Sequence, residues 1–133
     1  MNKIIARISL LLGLISLSVI FTPSFGQSTE KIAQIIKDGA SKDLAQYLHH
    51  TVSLNMTNAS GDYSRKQTEV ILRDFFRKSP PRDFTVVHEG ESAENIWYLI
   101  GNYSCNDALL KVLIKGRKEN GNLSIYSLDF TKE

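Results

Sequence analysis

The apolar positions of this chain run first at helical spacing and then at strand spacing. Ile32, Ile35 and Ile36 share one face of a helix that Ser28 or Thr29 is placed to cap and Gly39 to stop. A second, shorter helix is expected from Ser41, turning Leu44, Ala45, Tyr47 and Leu48 toward a core and closing at His49-His50. From Thr51 to Thr57 the period becomes two. Val52, Leu54 and Met56 lie on one side and Ser53, Asn55 and Thr57 on the other, which is a strand with one wet face. Asn58-Ala-Ser-Gly-Asp62 reads as a turn, with a very short return strand starting at Tyr63. Ser64 and Gln67 have the spacing of a capping box, in which each side chain satisfies the other residue's backbone N–H. The helix they open should run to about Lys78 on a stripe of Ile71, Leu72, Phe75 and Phe76, because Pro80-Pro81 cannot continue it.

Beyond the prolines only strands are predicted. Phe84, Val86 and His88 alternate with Thr85, Val87 and Glu89, and Ile96–Cys105 is apolar on both faces. Ala108–Gly116 sets Leu110, Val112 and Ile114 opposite Leu109, Lys111, Leu113 and Lys115. Asn120-Gly121 favours a tight type I′ hairpin, since both residues tolerate positive φ, and a last strand follows at Leu123–Thr131. Helices early and strands late give an α+β fold, with two or three N-terminal and central helices packed on a curved, mostly antiparallel sheet. Helices cover one sheet face only, so a strand apolar on both sides needs a second cover. Trp97, Leu99, Leu109 and Leu113 are the residues expected on that other face, as a homodimer or partner interface, unless a β-bulge breaks the alternation.

This order of elements is that of the cone-shaped fold named after nuclear transport factor 2. The residues sharpen the likeness. Gly61-Asp-Tyr-Ser64, Gln67, Ile71-Leu-Arg-Asp-Phe-Phe76, Lys78-Ser-Pro-Pro81, Phe84 and His88-Glu-Gly-Glu-Ser92 resemble an uncharacterised bacterial exported family of that superfamily, a domain of unknown function. Tyr98-Leu-Ile-Gly101 and Leu128-Asp-Phe-Thr-Lys-Glu133 extend the match over essentially all of residues 27–133, read as a single nuclear-transport-factor-2-like domain. The resemblance implies the cone fold and carries over no catalytic residue. Enzymes on this fold, of the ketosteroid-isomerase and dehydratase kinds, set Asp, Tyr or His inside the cone. His88, Tyr98 and Asp129 are the positions here to which that implication applies as pocket residues. His88 also reads as a structural histidine held by one hydrogen bond, and Asp129, alternating with Ser127 and Ile125, as solvent-facing.

The N-terminus has a different composition. Residues 1–26 contain Lys3 and Arg7 but no acid, and Ile8–Ile20 is almost wholly apolar. As a helix that run spans roughly 20 Å, short of a hydrocarbon core of about 30 Å. Pro23 follows, and Ser24-Phe25-Gly26 puts small residues at −3 and −1 of a cut before Gln27. Together these predict a cleaved secretory signal peptide over 1–26, an exported protein, periplasmic or secreted, and no membrane span after cleavage.

The signal also accounts for the charge. The chain has 16 Lys+Arg against 14 Asp+Glu, and Lys3 and Arg7 are the whole surplus, so 27–133 is formally neutral. A neutral domain has no electrostatic claim on nucleic acid. Lys111, Lys115 and Arg117 alternate along one strand, with Lys118 beside them and no interleaved aromatics, a pattern suited to a solvated, guarded sheet face.

Motifs that carry chemistry are missing from the sequence. No Gly-x-Ser-x-Gly, phosphate-binding glycine loop, dinucleotide fingerprint or zinc spacing occurs, so no cofactor and no metal site is expected. His49 and His50, adjacent, do not share a face. Cys105 is the lone cysteine and forms no intrachain disulfide; it reads as a small buried hydrophobe or a reactive thiol. The function expected is a non-catalytic exported domain that binds an envelope protein partner, a second copy or a small ligand. The alternative is a small hydrolase, lyase or isomerase acting in the cone pocket.

Overall fold

Helix α1 (Gln27–Lys37) buries Ile32, Ile35 and Ile36 along the stripe its spacing defines. In the computed structural model, which describes residues 26–133, it starts earlier than expected. Gly26 is the N-cap, neither Ser28 nor Thr29 caps, and Thr29 is a buried residue of the first turn. The signal-peptide reading falls, but for Gly26, outside the described residues.

Helix α2 (Ser41–Ala45) is shorter than expected, and both histidines belong to strand β1 (Leu48–Met56). Strand pairing is the cause. Ile125 N donates to Tyr47 O at 2.7 Å and Leu48 registers with Ile125, so a parallel ladder takes the chain before the helix adds another turn. Strand β2 (Ala59–Ser64) returns antiparallel to β1, longer than the stub read from Tyr63. Helix α3 (Arg65–Lys78) opens on the capping box: Gln67 N donates to Ser64 Oγ and Ser64 N donates to Gln67 Oε1, both at 3.1 Å.

Four strands follow: β3 (Asp83–Glu91), β4 (Ile96–Cys105), β5 (Ala108–Glu119) and β6 (Asn122–Lys132). The sheet order is β2-β1-β6-β5-β4-β3, antiparallel everywhere except β1 against β6. Asn120 and Gly121, at φ 52° and 79°, make the β5–β6 hairpin turn in the conformation expected of the pair. All three helices pack on one face, over Leu54 of β1, Leu99 of β4, Val112 of β5 and Leu128 of β6. This is the α+β cone architecture.

Two bulges bend the sheet. Val86 pairs with Gly101 and His88 with Ile100, leaving Val87 as the extra residue of β3. Lys115 pairs with Ser127 and Gly116 with Ile125, leaving Tyr126 as the extra residue of β6. An extra residue on one strand kinks it and increases the local twist. At the bend Phe84 lies across Gly101, where an added Cβ would come 2.5 Å from the ring Cζ and 3.0 Å from Thr85 O. At those distances the ring or the backbone must shift to admit a methyl group. Gly101→Ala is therefore expected to cost about 1–3 kcal/mol, read as a lower urea midpoint; an unchanged midpoint would show that the ring yields freely.

Candidate functional site

The interior of the cone is filled. Trp97, Tyr103, Phe130, Leu99 and Ile114 are among its fully buried side chains. Phe75, Tyr103 and Phe130 form an aromatic cluster with ring centroids 5.3–5.8 Å apart, Phe130 meeting the other two rings edge-to-face. Two polar devices satisfy the hydrogen-bonding groups these rings bring inside. Trp97 Nε1 donates to Thr29 Oγ1 at 3.0 Å, Thr29 donates onward to Glu89 Oε2, and Glu89 Oε1 accepts from Gly26 N at 2.6 Å. At the other end Tyr103 donates to Ser79 O at 2.5 Å.

His88, Tyr98 and Asp129, expected as pocket residues, lie outside this interior. The Val87 bulge shifts the alternation of β3 by one, so His88 faces away from the helices and Glu89 faces toward them. His88 Nε2 and Tyr98 Oη are hydrogen-bonded at 2.9 Å on the uncovered face. Asp129 is on that face too, bonded to Asn55 Nδ2 at 3.2 Å. It lies three strands along the row His88, Ile100, Leu113, Asp129, about 14 Å at the usual strand spacing. The structure thus brings His88 to Tyr98 but neither of them to Asp129.

The expected interface residues divide. Trp97 and Leu99, 1% and 0% exposed, are under the helices, and Ile96, Tyr98 and Ile100 take the face assigned to them. Leu109 and Leu113 do lie on the uncovered face, Leu109 44% exposed. Val87, the extra residue of the bulge, is 57% exposed on the edge strand β3, two strands from Leu113. Ile100 and Leu113 pair directly across β4 and β5, with Lys111 and Lys115 flanking Leu113 along its strand. The result is an apolar row bordered by charges of both signs.

A second concavity, about 360 Å³, opens at the mouth of the cone. The end of α3 supplies Phe75, Lys78 and Pro80, the β1–β2 turn Asn58, the β4–β5 turn Cys105 to Ala108, and the last strand Lys132. Its floor is apolar, while amides, two ammonium groups and the Asp107 carboxylate stand around it. Lys78 is held by Asp74 at 3.0 Å, and the Cys105 thiol reaches Ala108 O at 3.5 Å. Such a cleft suits a small polar ligand with an apolar part. Among the described residues no group of three His, Cys, Asp or Glu could hold a metal ion, and no helix is long and apolar enough to cross a membrane.

Sequence reasoning missed Thr29 and Glu89, whose contacts depend on the bulge. It also missed the mouth residues Asp107 and Lys132, which lie in a turn and at a strand end that only the fold brings together.

Known proteins resemble the chain in fold and in sequence. A family model described as Domain of unknown function (DUF4783) matches residues 29–131. A crystal structure of a DUF4783 family protein from Bacteroides uniformis superposes with a TM-score of 0.72, at 24% identity over 78% of this chain and 95% of that one. One from Bacteroides ovatus gives 0.71, at 22% identity over 77% and 92%. An NTF-2 like protein of unknown function from Burkholderia xenovorans gives 0.56, at 13% identity over 76% and 77%. No curated protein matches.

The buried phenol beneath the mouth has a pH signature. Burial, with Cys105 adding in the same direction, pushes the Tyr103 pKa well above the usual 10.0. The unfolded chain then releases this proton first, so the stabilisation is complete below about pH 10 and is lost as pH rises toward the higher folded value. Tyr103→Phe should cost about 0.5–1.5 kcal/mol at neutral pH for the lost hydrogen bond and flatten the alkaline fall. Urea denaturation across that range measures both, and parallel pH profiles for the two proteins would refute the assignment.

Proposed function

Since the chain belongs to the DUF4783 family, a domain of unknown function, we propose its role from its surfaces: an exported, non-catalytic binding module that associates through its uncovered sheet face. The observation that carries the reading is the apolar pair at the centre of that face, half-buried Ile100 against Leu113, with Val87 exposed on the edge strand and Leu109 exposed beyond Lys111. Exposed apolar surface contiguous across strands is a cost in water unless something covers it. The occupant argued for is a second copy of the chain. Lys111, Lys115 and Arg117 stand on the β5 side of the row, while Asp129 and Asp62 are carried by β6 and β2 of the same face. A two-fold axis reverses one copy over the other, and a face with both signs can meet itself.

The alternative, a small hydrolase, lyase or isomerase in the cone, has less support. The interior is occupied by Trp97, Tyr103 and Phe130, and the titratable pair His88–Tyr98 is on the outside. The mouth cleft supports small-ligand binding as an additional role, with the same fold presenting two separate surfaces.

Light scattering on residues 27–133 tests the association. A dimer is expected at micromolar concentrations, with Leu113→Asp shifting it to monomer and increasing the dissociation constant at least tenfold, about 1.4 kcal/mol. Leu113 lies on the uncovered face, so the monomer should retain its circular dichroism spectrum. A wild-type protein that stays monomeric at every concentration, or a Leu113→Asp protein that still dimerises, sinks the second copy as occupant.

A further inference from the structure

The residue at the expected cut is already bonded to a carboxylate. Gly26 N donates to Glu89 Oε1 at 2.6 Å, and α1 begins at the next residue, Gln27. Glu89 reaches this point from β3 only because the Val87 bulge turns it toward the helices. Its second oxygen is taken by Thr29, which holds the buried indole of Trp97. The α1 N-terminus is thus capped by a carboxylate from another strand, with no side chain of its own segment doing so.

We propose that Glu89 is the docking site for the α-ammonium group of the processed chain, so that removal of the signal peptide exchanges a hydrogen bond from a neutral amide for an ion pair. The inference rests on the export reading, which puts the cut between Gly26 and Gln27. Hydrolysis of that bond consumes one water: its hydroxyl goes to the Gly26 carbonyl carbon and its proton to the Gln27 nitrogen. Gly26 leaves with the signal, and its N–H bond to Glu89 goes with it. The Gln27 nitrogen, one residue further along, becomes a cation at physiological pH.

An ammonium at a helix N-terminus is repelled by the positive end of the helix dipole, and a carboxylate at the same place favours both. Glu89 therefore offsets a repulsion that processing itself creates. The ion pair also protects the new terminus chemically. An N-terminal glutamine cyclises when its unprotonated amine attacks its own side-chain amide carbon, forming the ring amide and releasing ammonia. A nitrogen held protonated against Glu89 has no free electron pair for that attack.

Two measurements decide the matter. The mature protein recovered from the producing cell should begin at an uncyclised Gln27 by intact mass. A different start overturns the cut and the proposal with it, and pyroglutamate at Gln27 overturns the docking. The second measurement uses residues 27–133 with a free or an acetylated amine, each with and without Glu89→Gln. Acetylation should lower the melting temperature by about 2–4 °C when Glu89 is present and leave it unchanged in Glu89→Gln, a cycle that cancels what Glu89→Gln does to Thr29 and Trp97. Equal melting temperatures for the free and acetylated wild-type chains would refute the ion pair while leaving the cut intact.

Discussion

The indole N–H of Trp97 must find an acceptor where no water reaches it, and the fold is arranged around that need. The acceptor is Thr29, in the first turn of α1, and Thr29 passes its own proton to Glu89 of β3. One chain of hydrogen bonds therefore joins a central strand, a helix and an edge strand. Leaving the indole unsatisfied costs about 1–3 kcal/mol, a large share of the stability of a small domain. The chain is possible only because Val87 is an extra residue. Were Val87 an ordinary paired residue of the strand, His88 would face the helices and Glu89 solvent. A one-residue irregularity at the sheet edge thus decides how α1 is seated and how the largest core side chain is satisfied.

That irregularity marks where local sequence stops being informative. Ser64 with Gln67, and Asn120 with Gly121, announce their structures because the determining contacts lie within four residues. The strand β5 was equally legible, since lysines label its wet side and Leu110, Val112 and Ile114 its dry one. The bulge in β3 has no such label: valine fits a strand position, a bulge or an exposed site equally well. Strand β4 is apolar on both faces, so alternation says that two sets exist but not which is covered. Register decides it, by placing Leu99 beside Ile114 and Ile100 beside Leu113. The boundary between α2 and β1 failed for the same reason, with a partner strand more than 70 residues away outweighing local helical spacing. The candidate site inherits these misses, because His88, Glu89, Trp97 and Leu99 all depend on which way a strand faces.

A filled interior also separates this domain from what the cone architecture allows. Phe75, Tyr103 and Phe130 occupy the space beneath the mouth, and Tyr103 spends its hydroxyl on the end of α3. The concavity that remains lies at the mouth, and its polar groups come from turns, a strand end and the end of α3. Turns on a rigid scaffold are where recognition diversifies at little cost to the core. The packed interior of this molecule and the turns around its mouth are therefore physically distinct.

The bulge has one more consequence, for how chains add to one another. Strand β3 is one margin of the sheet, and its ladder is interrupted at Val87 and approached through Pro80-Pro81. Strand β2, the opposite margin, is short, polar and contains Gly61 at φ 132°. Neither margin offers a long flat row of free backbone groups on which a further strand could be templated. Growth by strand addition is open-ended and leads to fibres, whereas pairing through a face about a two-fold axis closes at two copies. By spoiling both margins, the fold disfavours open-ended growth.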